Sequence, residues 1–175
     1  PVNGIGEILR VGDYIATVLR NVGIVALPAR GDGKGEGKRL SLAEGLPGGE
    51  SQYEGTLGYR GWIAPLGDKL FIGLDLWLVE WDFTTWKSQI LLDVGASNVE
   101  VGQDNASKQI SDVKTDLENG EVIISLREVS RRFVHGTASR ESFFRRKSET
   151  GKWQKISGDE WESLPDPSAV PAWVS

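Results

Sequence analysis

Lys114-Thr-Asp-Leu-Glu-Asn-Gly-Glu-Val-Ile-Ile-Ser-Leu-Arg127 is the stretch that decides the fold class. Asn119-Gly120 is the preferred pair for a two-residue type I′ turn, because both central positions of that turn need positive φ. A turn there sets Leu117 opposite Val122, Thr115 opposite Ile124 and Val113 opposite Leu126 on one face, with Asp112 against Arg127 on the other. Both arms alternate with a period of two, so turn chemistry and patterning agree on an antiparallel hairpin.

Two further hairpins follow from the same reasoning. Gly67-Asp68 hinges Tyr59–Leu66 onto Lys69–Leu76, which pairs Ile63 with Ile72 and Arg60 with Asp75 and sets Trp62 over Gly73. Pro65 cannot donate to a ladder, so its strand belongs at an edge or at a bulge. Glu149-Thr150-Gly151 joins Phe143–Ser148 to Lys152–Ile156 as a three-residue loop, bringing Phe144 opposite Ile156. In Trp86–Val94, residues Trp86, Ile90, Leu92 and Val94 point one way and Lys87, Gln89 and Asp93 the other.

Other segments admit two readings. The apolar phase changes near Trp77, from Leu70, Ile72 and Leu74 to Trp77, Val79, Trp81 and Phe83. In a strand this means a bulge or burial on both faces. Leu74, Trp77, Leu78 and Trp81 also fit helical spacing, but the β-branched and aromatic neighbours favour strands. Asp13 is placed to cap a short helix to Asn21 carrying Ile15, Val18, Leu19 and Val22, with a strand as the alternative. Gly23–Leu27 reads as a short strand ended by Pro28. Arg30–Gly49, with seven glycines, reads as a flexible loop.

These elements predict a mainly β fold, an antiparallel β-barrel or β-sandwich with a short N-terminal helix. One β-rich domain spans 1–156, and an acidic, Pro-containing tail spans 157–175, pinned by Trp161 and Trp173 where these bury. No internal repeat is evident in the sequence. At 175 residues the chain is long enough to fold without staples. It has no cysteine, which excludes disulfide frameworks, thiolate nucleophiles and Cys-ligated zinc. The net charge of −5 argues against a surface devoted to nucleic acid. No run of 18 apolar residues reads as a membrane span, and the chain reads as soluble with no compartment assigned.

Four of the seven tryptophans lie between Trp62 and Trp86. Trp62, Trp77, Trp81 and Trp86, with Glu80 and Asp82, compose a candidate ligand site, because aromatic faces stack on apolar or sugar rings while carboxylates take hydroxyls. Trp81, between two acids, is the ring expected to be most exposed. The structural alternative is that these rings fill the core. Arg131, Arg132, Arg145 and Arg146, interleaved with Phe133, Phe143 and Phe144, form a candidate patch for an anionic partner. The alternative there is a sheet face that pairs with the acidic tail at Asp159, Glu160 and Glu162. His135 is the single histidine and has no identifiable catalytic partner. No catalytic motif, metal-ligand spacing or cofactor fingerprint is present, and the alternating glycines at 31–37 lack the Lys-Ser or Lys-Thr of a phosphate loop.

The segment Tyr59–Leu78, which reads Tyr-Arg-Gly-Trp-Ile-Ala-Pro-Leu-Gly-Asp-Lys-Leu-Phe-Ile-Gly-Leu-Asp-Leu-Trp-Leu, resembles the paired strands of lipocalin-like bacterial β-barrel proteins. The resemblance implies a barrel and transfers no site residue. The sequence thus leads first to a non-enzymatic binding protein for a small apolar or amphipathic ligand, without cofactor or metal. A structural protein that assembles into homo-oligomers through exposed Trp residues and its tail is the second reading, and a carbohydrate-binding module the third.

Overall fold

The computed structural model describes residues 5–19, 23–29, 37–40, 62–74, 76–95, 106–130 and 138–165. Among these residues the chain is mainly β, in three antiparallel sheets of four strands each. The first holds β1 (Ile5–Val11), β2 (Tyr14–Leu19), β3 (Gly23–Pro28) and β4 (Lys38–Leu40). The second holds β5 (Trp62–Leu66), β6 (Lys69–Leu74), β7 (Trp77–Asp82) and β8 (Lys87–Asp93). The third holds β9 (Ala106–Asp116), β10 (Glu121–Ser130), β11 (Ala138–Arg146) and β12 (Trp153–Ile156). A single turn and a half of helix, α1 (Gly158–Ser163), follows. Strand order in every sheet is the order of the sequence, so one up-and-down meander recurs three times. None of these sheets closes into a barrel.

The sheets stack face to face, and the second is the middle layer. Leu9, Val11, Ala16, Ile24 and Ala26 of the first sheet meet Ile63, Leu70, Ile72, Leu74, Val79 and Trp81 of the second. On its other side the second sheet sends Ala64, Phe71, Leu78 and Leu92 against Ile110, Val113, Val122, Ile124, Leu126 and Phe144 of the third. A sheet covered on both faces reads as a continuous apolar run instead of a clean alternation. This accounts for the phase change near Trp77. Leu74 pairs with Trp77 across a two-residue connection, so even positions of β6 and odd positions of β7 share one face.

The Gly67-Asp68 hairpin has the register its sequence dictates, with Trp62 opposite Gly73 and Ile63 opposite Ile72. Its edge strand β5 carries Pro65, whose carbonyl accepts a hydrogen bond from Thr115 Oγ1 at 2.9 Å and so ties the second sheet to the third. The proposed pairing of Arg60 with Asp75 lies outside the described residues.

Several sequence expectations are corrected. Lys38–Leu40, inside the stretch 30–49 read as a flexible loop, pairs with β3 as a strand. Residues 14–19 form β2, not a helix, because Gly12-Asp13 makes a two-residue turn that pairs Val11 with Tyr14. The Asn119-Gly120 hairpin forms, but around a four-residue turn in which Asp116 pairs with Glu121. The Asp116 carboxylate accepts from the N–H groups of Glu118 and Asn119 and from Asn119 Nδ2, an arrangement that competes with the tighter turn. The slip is two residues, so Val113, Thr115, Val122 and Ile124 keep their face while Leu117 is left in the turn, 66% exposed. The slip pairs Asp112 with Ser125, and a bulge at Ser111 shifts the ladder by one more residue to pair Arg127 with Gln109. In the third hairpin Phe144 pairs with Lys155, because Gly151 donates to the Lys147 carbonyl and lengthens the loop by one residue. Trp86 lies in the turn before β8, and Leu91 bulges from that strand, which leaves Ile90 exposed while Leu92 and Val94 bury.

Gly12 shows how tightly the hairpin ends meet. Its φ of +55° is the left-handed region, and a Cβ there would collide with the Asp68 carboxylate. Gly12→Ala is therefore expected to lower stability by about 1–3 kcal/mol, read as a shifted urea midpoint. An unchanged midpoint would mean that the two turns do not touch.

Candidate functional site

Three turns converge at one end of the first interface. Gly12 N–H donates to Gly67 O at 3.0 Å, and Phe83 N–H donates to Asp68 O at 2.8 Å. These bonds bind the β1–β2, β5–β6 and β7–β8 turns together. The last of them, Phe83–Trp86, is shaped by Asp82, whose Oδ1 accepts from the N–H groups of Thr84 at 2.8 Å and Thr85 at 3.1 Å. Those backbone donors, that of Thr85 foremost, hold the Asp82 carboxyl below its usual range. Trp86 N–H closes the turn on Asp82 O at 2.8 Å.

Trp86 completes the turn at φ +58°, the one non-glycine residue with positive φ among those described. This backbone costs on the order of 1–2 kcal/mol for a residue with a Cβ. It delivers the indole into a group of rings. Phe83 lies 5.0 Å from it centroid to centroid, Tyr14 5.7 Å and Trp81 5.8 Å, and Tyr14 also meets Phe83 edge-on at 5.5 Å. The Lys38 ammonium, at the start of β4, sits 4.3 Å from the Trp86 centroid. Trp86, Tyr14 and Lys38 are half-buried, and the Asp13 and Asp68 side chains on the neighbouring turns are exposed.

The residues singled out in the sequence do not assemble as one site. Trp81 is buried at 3% exposure in the first core, contrary to the expectation drawn from its acidic neighbours. Strand geometry is the reason: successive side chains alternate, so Trp77, Val79 and Trp81 face the first sheet while Glu80 and Asp82 point away. Trp81 Nε1 is buried without a hydrogen-bond partner. Glu80 pairs with Lys69 at 3.1 Å. Trp77 is half-buried at the margin of the same core, and Trp62, on the edge strand, is 46% exposed. Sequence reasoning missed Tyr14, Phe83 and Lys38. Gly-Asp stands in the two turns that end up side by side, at 12–13 and 67–68, but it also occurs at 31–32 and 158–159 and so did not single them out.

The basic patch resolves differently. Arg145 is buried and fully engaged within its own chain: Nη1 bonds Asp116 at 2.6 Å and Glu121 at 2.9 Å, and Nη2 bonds Glu160 of α1 at 2.8 Å. Burial alone would raise the Asp116 carboxyl, but hydrogen bonds from Asn119 and Arg145 outweigh it and hold the group at about 2. The same acids raise the Arg145 pKa above its ordinary value in spite of burial. Trp161 stacks on Phe143 at 5.1 Å, and Lys114 Nζ donates to the carbonyls of Trp161 and Leu164 while lying 4.4 Å over the Trp161 ring. Thus α1 caps the outer face of the third sheet. Arg127 pairs with Glu141, and Arg146 is half-buried against Gly151. Arg131, Arg132, His135 and Trp173 lie outside the described residues.

Among the described residues no group of three or more His, Asp or Glu side chains is placed to hold a metal ion, and no helix is long and apolar enough to cross a membrane. No protein-family model matches the chain, and no curated protein matches it.

Proposed function

We propose that the chain is a non-enzymatic β-rich binding protein for a small amphipathic ligand, which it takes at the Trp86 end of the stack and not inside a barrel. The observation that carries this reading is the position of Trp86. A left-handed backbone holds its indole among three other rings while leaving it half-buried, on a turn bound together with the two that carry the exposed Asp13 and Asp68. Strained non-glycine residues persist where surrounding structure enforces them, and they cluster at ligand sites. The interior supports the same choice, because apolar side chains such as Ile72, Leu74 and Leu78 are fully buried between the sheets.

Titration of octyl glucoside below its micellar concentration, and separately of a soluble oligosaccharide, is expected to give a saturable change in tryptophan fluorescence that Trp86→Leu abolishes. A response to the oligosaccharide alone would turn the reading to a carbohydrate-binding module. Silence from both would remove it.

A second reading, assembly with further copies, draws on the outer face of the first sheet. Ile8 and Leu27 are 51% and 54% exposed there, with Ile15 and Val25 half-buried beside them, whereas α1 caps the opposite end of the stack. Trp161 is buried beneath its own chain and is not free to make such a contact.

A further inference from the structure

We infer that the Trp86 site is a seat for an organic ammonium group, and that Lys38 occupies it from within the chain. The inference rests on the binding reading above and names the ligand chemistry. Lys38 already demonstrates the fit, since its Nζ stands 4.3 Å from the Trp86 centroid, within the distance at which a ring quadrupole attracts a cation. Phe83, Tyr14 and Trp81 surround that indole at 5.0–5.8 Å, so the seat belongs to a cluster of aromatic rings and not to one isolated side chain.

The turns that converge here carry charge of the matching sign, since Asp13 and Asp68 are exposed on two of them, whereas the Asp82 carboxylate is taken up by the N–H groups of its own turn. A bare metal ion is the wrong occupant, because it needs several oxygen ligands and aromatic faces supply none. Quaternary and alkyl ammonium groups, weakly hydrated and apolar at their surface, are the cations that aromatic faces select.

The internal occupant sits on a short element. Among the described residues Lys38 is the first of a three-residue edge strand, in which Lys38, Arg39 and Leu40 pair with Ala26, Val25 and Ile24. Its side chain has to leave Trp86 before an external ammonium group can bind. The free protein therefore binds such a ligand more weakly than the bare site would, by the fraction of time the site stands open.

The test compares choline with 3,3-dimethylbutan-1-ol, which has the same shape without the charge, at constant ionic strength. Binding is read by titration calorimetry in every variant, and from the Trp86 indole resonance where that residue is present. Choline is expected to bind and the neutral alcohol to bind at least about tenfold more weakly. Lys38→Ala is expected to tighten choline binding about three- to tenfold by removing the competitor, and Trp86→Leu to abolish it. Thermal midpoints confirm that both variants fold; if Trp86→Leu does not, Trp86→Phe, which keeps a ring with a weaker quadrupole, is expected to weaken choline binding severalfold. Equal binding of the alcohol and choline, or no gain in Lys38→Ala, overturns the ammonium assignment and leaves the amphiphile reading standing. Failure of choline, the alcohol and octyl glucoside alike overturns both.

Discussion

Arg145→Ala is expected to destabilise the fold by about 3–5 kcal/mol, because it leaves Asp116 and Glu121 buried without their cation. The guanidinium is the hub of the network, with two carboxylates on Nη1 and the α1 carboxylate of Glu160 on Nη2. Lys is no substitute for this geometry, since a single ammonium cannot reproduce a planar fork. Lys147→Ala serves as the contrast. Its ammonium lies 3.7 Å from Glu121 and its side chain is largely exposed, so its loss is expected to change stability by less than about 0.5 kcal/mol. Urea denaturation at neutral pH measures both. A cost below about 1 kcal/mol for Arg145→Ala would show that the arginine acts at the surface and not as the clamp between α1 and the third sheet.

The same network sets a pH dependence. The Asp116 carboxyl sits at about 2 in the fold against 3.8 for the ordinary group. A depressed carboxylate contributes stability that is complete above about pH 4 and is lost as the pH falls toward 2, an amount of about 2 kcal/mol for this shift. In Arg145→Ala one cause of the depression is gone, so acid unfolding is expected to begin at higher pH than in the parent.

Local chemistry made some of this architecture legible. The Gly67-Asp68 turn gave its hairpin the observed register, and Pro65 marked an edge strand. The same dipeptide at 12–13 was masked by Ile15, Val18 and Leu19, whose helical spacing arises by chance in a strand near the first core. At Asn119-Gly120 the hairpin was right and the loop wrong, because Asp116 captured the turn N–H groups. Trp81 misled through its neighbours. Charged residues on either side of a strand position report the opposite face, so Glu80 and Asp82 said nothing about the exposure of the ring between them. The Trp86 cluster was only partly legible: Trp81 and Trp86 stood out as tryptophans, but the cluster joins residues of three strands and one turn through contacts that no local pattern encodes.

Ile72→Ala and Leu78→Ala are each expected to cost about 2–5 kcal/mol, and their joint result tests the three-layer stack directly. The two residues sit on adjacent strands of the middle sheet but face opposite ways, Ile72 into the first core and Leu78 into the second. An antiparallel sheet with one solvated face would leave one of these truncations nearly silent. Here both side chains are fully buried, and each substitution opens a void in a different core. The two side chains belong to separate buried clusters, so the costs are expected to add approximately. Their sum, about 4–10 kcal/mol, is comparable to the whole stability of an ordinary domain, and the double variant is therefore expected to be largely unfolded at 25 °C by circular dichroism. If either single variant costs less than about 1 kcal/mol, the corresponding face of the middle sheet is not packed and the stack has two layers. Both costs at full size would establish that the middle sheet is the shared core on which the Trp86 end is built.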